Sequence, residues 1–113
     1  MREYELSQDA QQDLLEIARY TLRTWGSEQA RYYELALTRC FESIASGEAR
    51  ARTPLTWRPE LRVCRCEHHF VFWLQEGESS PLILAVWHES MDLMVRLRAR
   101  WVDSDRDQQT PPD

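Results

Sequence analysis

At 113 residues the chain has room for one hydrophobic core and not for two ordinary domains. Its 42% hydrophobic and 29% charged residues exclude disordered and membrane-embedded classes, and no apolar run approaches the ~20 residues of a membrane helix. The net charge is −5, and all fourteen basic residues are arginine, which excludes a lysine nucleophile or general base.

The amino terminus, Met1 to Leu6, is acidic and amphipathic and lacks the apolar stretch of a secretory signal, so a cytoplasmic protein is expected. Glu3-Tyr4-Glu5-Leu6 alternates polar and apolar residues and predicts a short strand. Ser7 is a good helix N-cap, and Asp9 lies where the helix dipole favours an acid. Ala10, Leu14, Ile17, Ala18, Thr21, Leu22 and Trp25 recur at three- and four-residue spacing, predicting a helix over 8–25. Gly26 can take the left-handed C-terminal position, and Ser27 can cap the next helix at once.

That second helix is expected from about Glu28 to Ser46, with Ala30, Tyr33, Leu37, Phe41 and Ile44 on one face. A connection so short favours an antiparallel helix hairpin. Gly47 ends the helix, and Pro54 and Pro59 make 48–60 a long basic loop. Three strands follow: Leu61 to Cys66, His69 to Gln75, and Leu82 to His88. The last is almost wholly apolar and so should be central, or covered on both faces. Ser90 can cap a final helix with Leu93, Met94, Leu97 and Trp101 on one face. From 102 to 113 the composition shifts to Asp, Gln, Thr and Pro and predicts a disordered acidic tail.

The order is β-α-α-β-β-β-(α). It predicts an α+β domain over 1–101: an antiparallel sheet with an N-terminal helix hairpin packed on one face. The other face is open unless the final helix reaches it.

Charge is segregated along the chain. Residues 49–66 hold five arginines against Glu60, residues 67–95 hold five acids and no arginine, and residues 96–101 hold three arginines. If folding joins the two basic segments, they form one localised basic surface. Arg58, Arg62, Arg65, Arg96 and Arg98, with Trp73 on a strand, are the residues expected to meet a partner.

Other chemistry is thinly supported. Cys40, Cys64 and Cys66 are an odd number without framework spacing and fit free thiols. Cys64-x-Cys66 before His68-His69, with His88 beyond, has metal-ligand residue types, but lacks the usual two-residue spacer, and no metal or cofactor is expected. Arg62, Arg65 and His88, with Glu60 as a base, offer one alternative catalytic set, since arginine forks suit phosphate and histidine can move a proton. Of the five tryptophans, Trp57 in the basic loop is the one placed to stack on a partner.

Tyr4-Glu5-Leu6-Ser7 leading to Ala10, Asp13-Leu14-Leu15-Glu16-Ile17-Ala18-Arg19-Tyr20, and Trp25-Gly26 with Gln29-Ala30 resemble the start of ParE toxins. Pro59-Glu60-Leu61-Arg62, His68-His69-Phe70-Val71-Phe72-Trp73 and Ala85-Val86-Trp87-His88-Glu89-Ser90-Met91-Asp92-Leu93 resemble the remainder. The order and spacing of these segments are those of the RelE/ParE superfamily, over nearly the whole chain up to Arg100. The resemblance implies the toxin of a type II toxin–antitoxin pair, with a ParD-like antitoxin as partner. ParE-like members are associated with DNA gyrase poisoning and RelE-like members with mRNA cleavage on the ribosome. The RelE-like pattern relies on lysines, which this chain lacks, so a non-catalytic, gyrase-directed toxin is expected. The alternative is an mRNA interferase using Arg62, Arg65 and His88.

Overall fold

A computed structural model describes residues 3–102. The chain runs β1 (Glu5–Leu6), α1 (Gln8–Trp25), α2 (Ser27–Ser46), β2 (Leu61–Cys66), β3 (His69–Leu74), β4 (Leu82–His88) and α3 (Leu93–Leu97). A turn of π-helix over Arg98–Val102 closes the described chain. The expected tail lies, apart from Val102, outside the described residues.

Ser7 caps α1 as expected: its Oγ accepts from the Ala10 amide at 3.0 Å. The joint to α2 is Gly26 alone, at φ +94°, where a Cβ would be strained. Gly26, not Ser27, is the cap of α2, and Ser27 is already its first residue. The hairpin is therefore tighter than a serine-capped joint. Gly47, at φ +84°, ends α2 in the left-handed conformation and donates to the Ile44 carbonyl.

The sheet order is β1-β4-β3-β2. β2, β3 and β4 form the expected antiparallel meander, with Leu61 opposite Leu74 and His69 opposite His88. β1 differs: it joins β4 in parallel, Glu5 beside Leu82 and Leu6 beside Ile83, so the sheet is mixed. The helix hairpin explains this. α2 descends along β2, with Tyr33 against His69 and Cys40 against Cys64. The chain therefore re-enters the sheet at the end where β1 began. β2 runs with β1, and after two reversals so does β4.

Both faces of the sheet are covered. Tyr33, Leu37, Phe41 and Ile44 of α2 and Ala10 of α1 bury Cys64, Cys66, Val71, Trp73, Ile83 and Val86. On the opposite face Leu93 and Leu97 of α3, with Leu55 from the long loop, cover Leu61, Phe72, Ala85 and Trp87. The final helix thus supplies the second layer that the apolar β4 requires. Its cap is Asp92, whose carboxylate accepts from the Val95 amide at 3.3 Å, rather than Ser90, which bonds His88 instead.

A β-bulge between Phe72 and Trp73 of β3 and Ile83 and Ala85 of β4 leaves Leu84 as the extra residue. It inverts the alternation of β4, so Ile83 and Val86 face the helix hairpin while Ala85 and Trp87 face α3. β1 pairs only with the first two residues of β4, so α1 takes over along the remaining edge. There Asp13 accepts the Val86 amide at 3.0 Å, and Ser7 Oγ reaches the Leu84 carbonyl at 3.4 Å. Without these groups, β4's open edge would hold unpaired polar atoms in a buried setting.

Candidate functional site: a basic groove along the outer strand

β2 is the sheet's outer strand, and the long loop returns to it. Arg52 exchanges both backbone hydrogen bonds with Val63, each at 2.9 Å. Between this bridge and α2 lies an open groove of about 740 Å³. Its walls are Ala36, Arg39, Cys40 and Ser43 of α2 and Ala49 to Arg52 of the loop, and its floor is Val63 to Cys66 with Phe70. Arg39, Arg50, Arg52 and Arg65 make it a cationic channel in an otherwise acidic chain.

Arg65 is the expected site residue that the structure places there. Its guanidinium donates to the Glu89 carboxylate at 2.5 Å and, through Nε, to the Glu67 carbonyl at 3.1 Å. His68 Nδ1 holds the other Glu89 oxygen at 2.9 Å. The hydrogen bond from His68, and then the Arg65 charge, keep the Glu89 carboxyl below its ordinary range. Arg65 is thus anchored at the end of the sheet, where the β2–β3 turn meets the end of β4. Glu67 in that turn adopts φ +55°.

The other expected residues lie elsewhere. Arg58 forms an ion pair with Glu60 at 2.8 Å, in the loop before β2. Arg62 sits opposite Trp73, half-buried, on the face of β2 that carries Cys64 and Cys66. Trp73 is 3% exposed in the helix-side core, so it is a packing residue and not a contact residue. The strand pattern alone could not show that α2 covers it. Arg96 on α3 and Arg98 at the start of the π-helical turn are exposed and do not line the groove. Arg100 of the same basic segment turns away to α1, donating to Asp13 at 2.7 and 3.2 Å while stacking on Trp87 at 4.9 Å. The two basic segments therefore do not merge into one channel.

The alternative catalytic set is also separated. His88 faces the helix side and its ring meets that of His69 at 5.2 Å, edge to face. Its Nδ1 is engaged by Ser90, with the hydroxyl at 2.8 Å and the amide at 3.0 Å. Arg62 lies four register positions away along the sheet, roughly 13 Å at the usual rise per residue. Arg65 is on the opposite face of β2 from Arg62. The three side chains converge on no common point.

The sequence grouped His69, beneath them, with Cys64, Cys66 and His68 as metal-ligand residue types. His69 is buried, with its Nδ1 hydrogen-bonded to the Tyr33 hydroxyl. That hydroxyl also accepts the His68 amide at 3.2 Å. Burial, followed by the neighbouring His88 and His68, lowers the His69 pKa to about 4. Desolvation raises the Tyr33 phenol to about 12. This pair is therefore neutral and structural at pH 7.

Arg39, Arg50 and Arg52 were not singled out by sequence. Arg50 and Arg52 lay inside the charge excess of 49–66, and Arg39 could be found from its position beside Ala36, Cys40 and Ser43 on the turns of α2. What sequence could not show is that the loop doubles back beside β2.

Comparison with known proteins accords with this architecture. The family model of the ParE toxin of type II toxin–antitoxin systems matches residues 4–93. The chain is 42% identical over 100 residues to a Toxin ParE of Escherichia coli, covering 88% of this chain and 97% of that protein. It is 33% identical over 97 residues to Toxin ParE1 of Caulobacter vibrioides, covering 86% and 99% respectively. A solved chain of a chromosomal ParDE toxin–antitoxin system from P. aeruginosa shares the fold. Its TM-score is 0.64 and its identity 16%, with 78% of this chain and 96% of that one covered. With the helix hairpin, the meander and a family match over residues 4–93 in agreement, the chain belongs to the ParE toxin family of type II toxin–antitoxin systems.

Proposed function

We propose that the chain is a cytoplasmic toxin that inhibits growth by protein–protein contact with DNA gyrase and is neutralised by a ParD-like antitoxin. Supporting this is the near-complete match to ParE toxins, the branch associated with gyrase, in a chain without lysine. No helix among the described residues is long and apolar enough to cross a membrane. The observation that most favours contact over catalysis is the dispersal of Arg62, Arg65 and His88, since general acid–base work needs its groups within hydrogen-bond reach of one reacting atom.

The antitoxin is assigned to the basic groove. Four guanidiniums beside an outer strand suit an extended or helical segment with acidic residues. Arg96 and Arg98, exposed at the end of α3 and the start of the π-helical turn, are available to a second part of the same partner.

The test is a pair of assays on purified toxin. Inhibition of gyrase supercoiling, relieved by stoichiometric antitoxin, is the expected result. Cleavage of ribosome-bound mRNA with supercoiling untouched would overturn the proposal. Growth inhibition retained on replacing Arg62, Arg65 and His88 by alanine would dispose of the mRNA interferase alternative.

A further inference from the structure

The cysteines have no part in the reading above, yet all three lie together in the groove. Cys40 on α2 and Cys64 on β2 bring their sulfurs to 3.7 Å, and both are free thiols. The side chains must close by under 2 Å to reach the length of a disulfide bond. Cys66 is held differently, its thiol donating to the Ala36 carbonyl at 3.5 Å. Cys40 is only partly buried and opens the cluster to the groove. Arg39, Arg50 and Arg52 line the groove beside it, while Arg65 is held by Glu89 on the other face of β2. Cationic surroundings favour a thiolate and attract an anionic reagent.

We propose that the groove is a thiol-redox site, in which Cys40 and Cys64 reduce a small anionic disulfide and form a bond between α2 and β2. The Cys64 thiolate attacks one sulfur of the reagent, giving a mixed disulfide and releasing one small thiolate. Cys40 then gives up its proton and attacks Cys64 Sγ, closing the Cys40–Cys64 disulfide. The second small thiolate leaves and takes up a proton. Two protein thiols are oxidised and one small disulfide is reduced to two thiols.

The order of attack takes Cys40 as the donor in the Cys40–Cys64 contact, in which either sulfur can donate. The Cys40 thiol supports a negative charge on Cys64 and lowers its pKa, whereas Cys40 and Cys66 are both raised. Cys66, whose thiol is held by the Ala36 carbonyl, is the bystander in this scheme. Such a bond would draw α2 onto the outer strand and narrow the groove. In a reducing compartment it would be transient, as disulfides there usually are.

The full chain, reduced and then exposed to oxidised glutathione, tests the proposal by alkylation and tryptic mass mapping. Cleavage after Arg39, Arg50, Arg62, Arg65 and Arg96 puts Cys40, Cys64 and Cys66 in three different peptides. The expected product is the 40–50 peptide joined to the 63–65 peptide, with Cys66 alkylated. The Cys40→Ala variant should instead retain a glutathione adduct on Cys64, and Cys66→Ala should behave as wild type. Three alkylated cysteines, a bond involving Cys66, or a stable adduct on the wild type without a cross-link would each overturn the assignment. Circular dichroism of the oxidised wild type, which carries no substitution, checks that the product is folded.

Discussion

Asp13 and Arg100 form a bidentate ion pair across 87 residues of sequence, at 2.7 and 3.2 Å, and the same carboxylate holds the Val86 amide of β4 at 3.0 Å. Asp13 is 6% exposed, so it joins the first helix, the open edge of the sheet and the end of the described chain in one buried junction. Asp13→Ala leaves the Val86 amide without its acceptor and reduces Arg100 to its longer contacts with the Leu84 carbonyl, at 3.5 Å, and Asp9, at 3.7 Å. We expect a loss of about 2–4 kcal/mol in chemical denaturation, reduced from the fully buried case because Arg100 is partly exposed. Arg100→Ala should cost less, since Asp13 keeps the Val86 amide. Equal costs would show that the amide contributes nothing.

The buried His69 sets a pH dependence. Its pKa falls from 6.5 to about 4 in the folded protein, so the folded state prefers neutral imidazole and the unfolded state binds more protons between these values. Stability from this group is complete above pH 6.5 and is lost as pH falls towards 4, on the order of 3 kcal/mol over the window. Denaturation midpoints measured from pH 7.5 to 4 should fall accordingly, and His69→Phe should flatten the decline. A profile unchanged by that substitution would remove His69 as its source.

Trp73 belongs to the core. Trp73→Ala should destabilise the protein by about 3–5 kcal/mol, the usual cost of deleting a large buried ring. Trp57, which is 60% exposed, should tolerate alanine within about 0.5 kcal/mol. Thermal melts of the two variants check this contrast, and any partner-binding defect of Trp73→Ala should track its loss of fold.

Charge in the groove should govern antitoxin binding. Arg50→Glu with Arg52→Glu should weaken the complex at least about tenfold, with a steeper effect at low salt, because opposed charges at an interface steer and hold the partner. Arg19→Glu on the exposed side of α1 serves as the control and should change binding less than about twofold. Calorimetry at two ionic strengths distinguishes these outcomes. Equal losses would place the antitoxin elsewhere on the surface.

Local periodicity settled most of the elements. The stripe from Ala10 to Trp25 became α1, the Leu61–Cys66 and Leu82–His88 strands keep the bounds that their composition predicts, and Gly26 and Gly47 mark the helix ends. These depend on interactions within a few residues, so they can be read from a few residues. The charge excess of 49–66 also showed which segment would be basic.

The partners of those elements required the tertiary structure. That β1 pairs in parallel follows from the hairpin returning the chain to its starting end, a property of topology. The bulge at Leu84 inverts which β4 residues face α2, and no local pattern announces it. Charge counting placed Arg100 with Arg96 and Arg98, yet burial of Asp13 draws it away from them, because a buried carboxylate must be matched wherever the matching cation lies in sequence. The groove arises in the same way: Arg39, Arg52 and Arg65 come from a helix, a loop and a strand, and they meet only because the loop pairs Arg52 with Val63. Sequence determined what each segment is, through short-range spacing; long-range closure decided which residues share a surface.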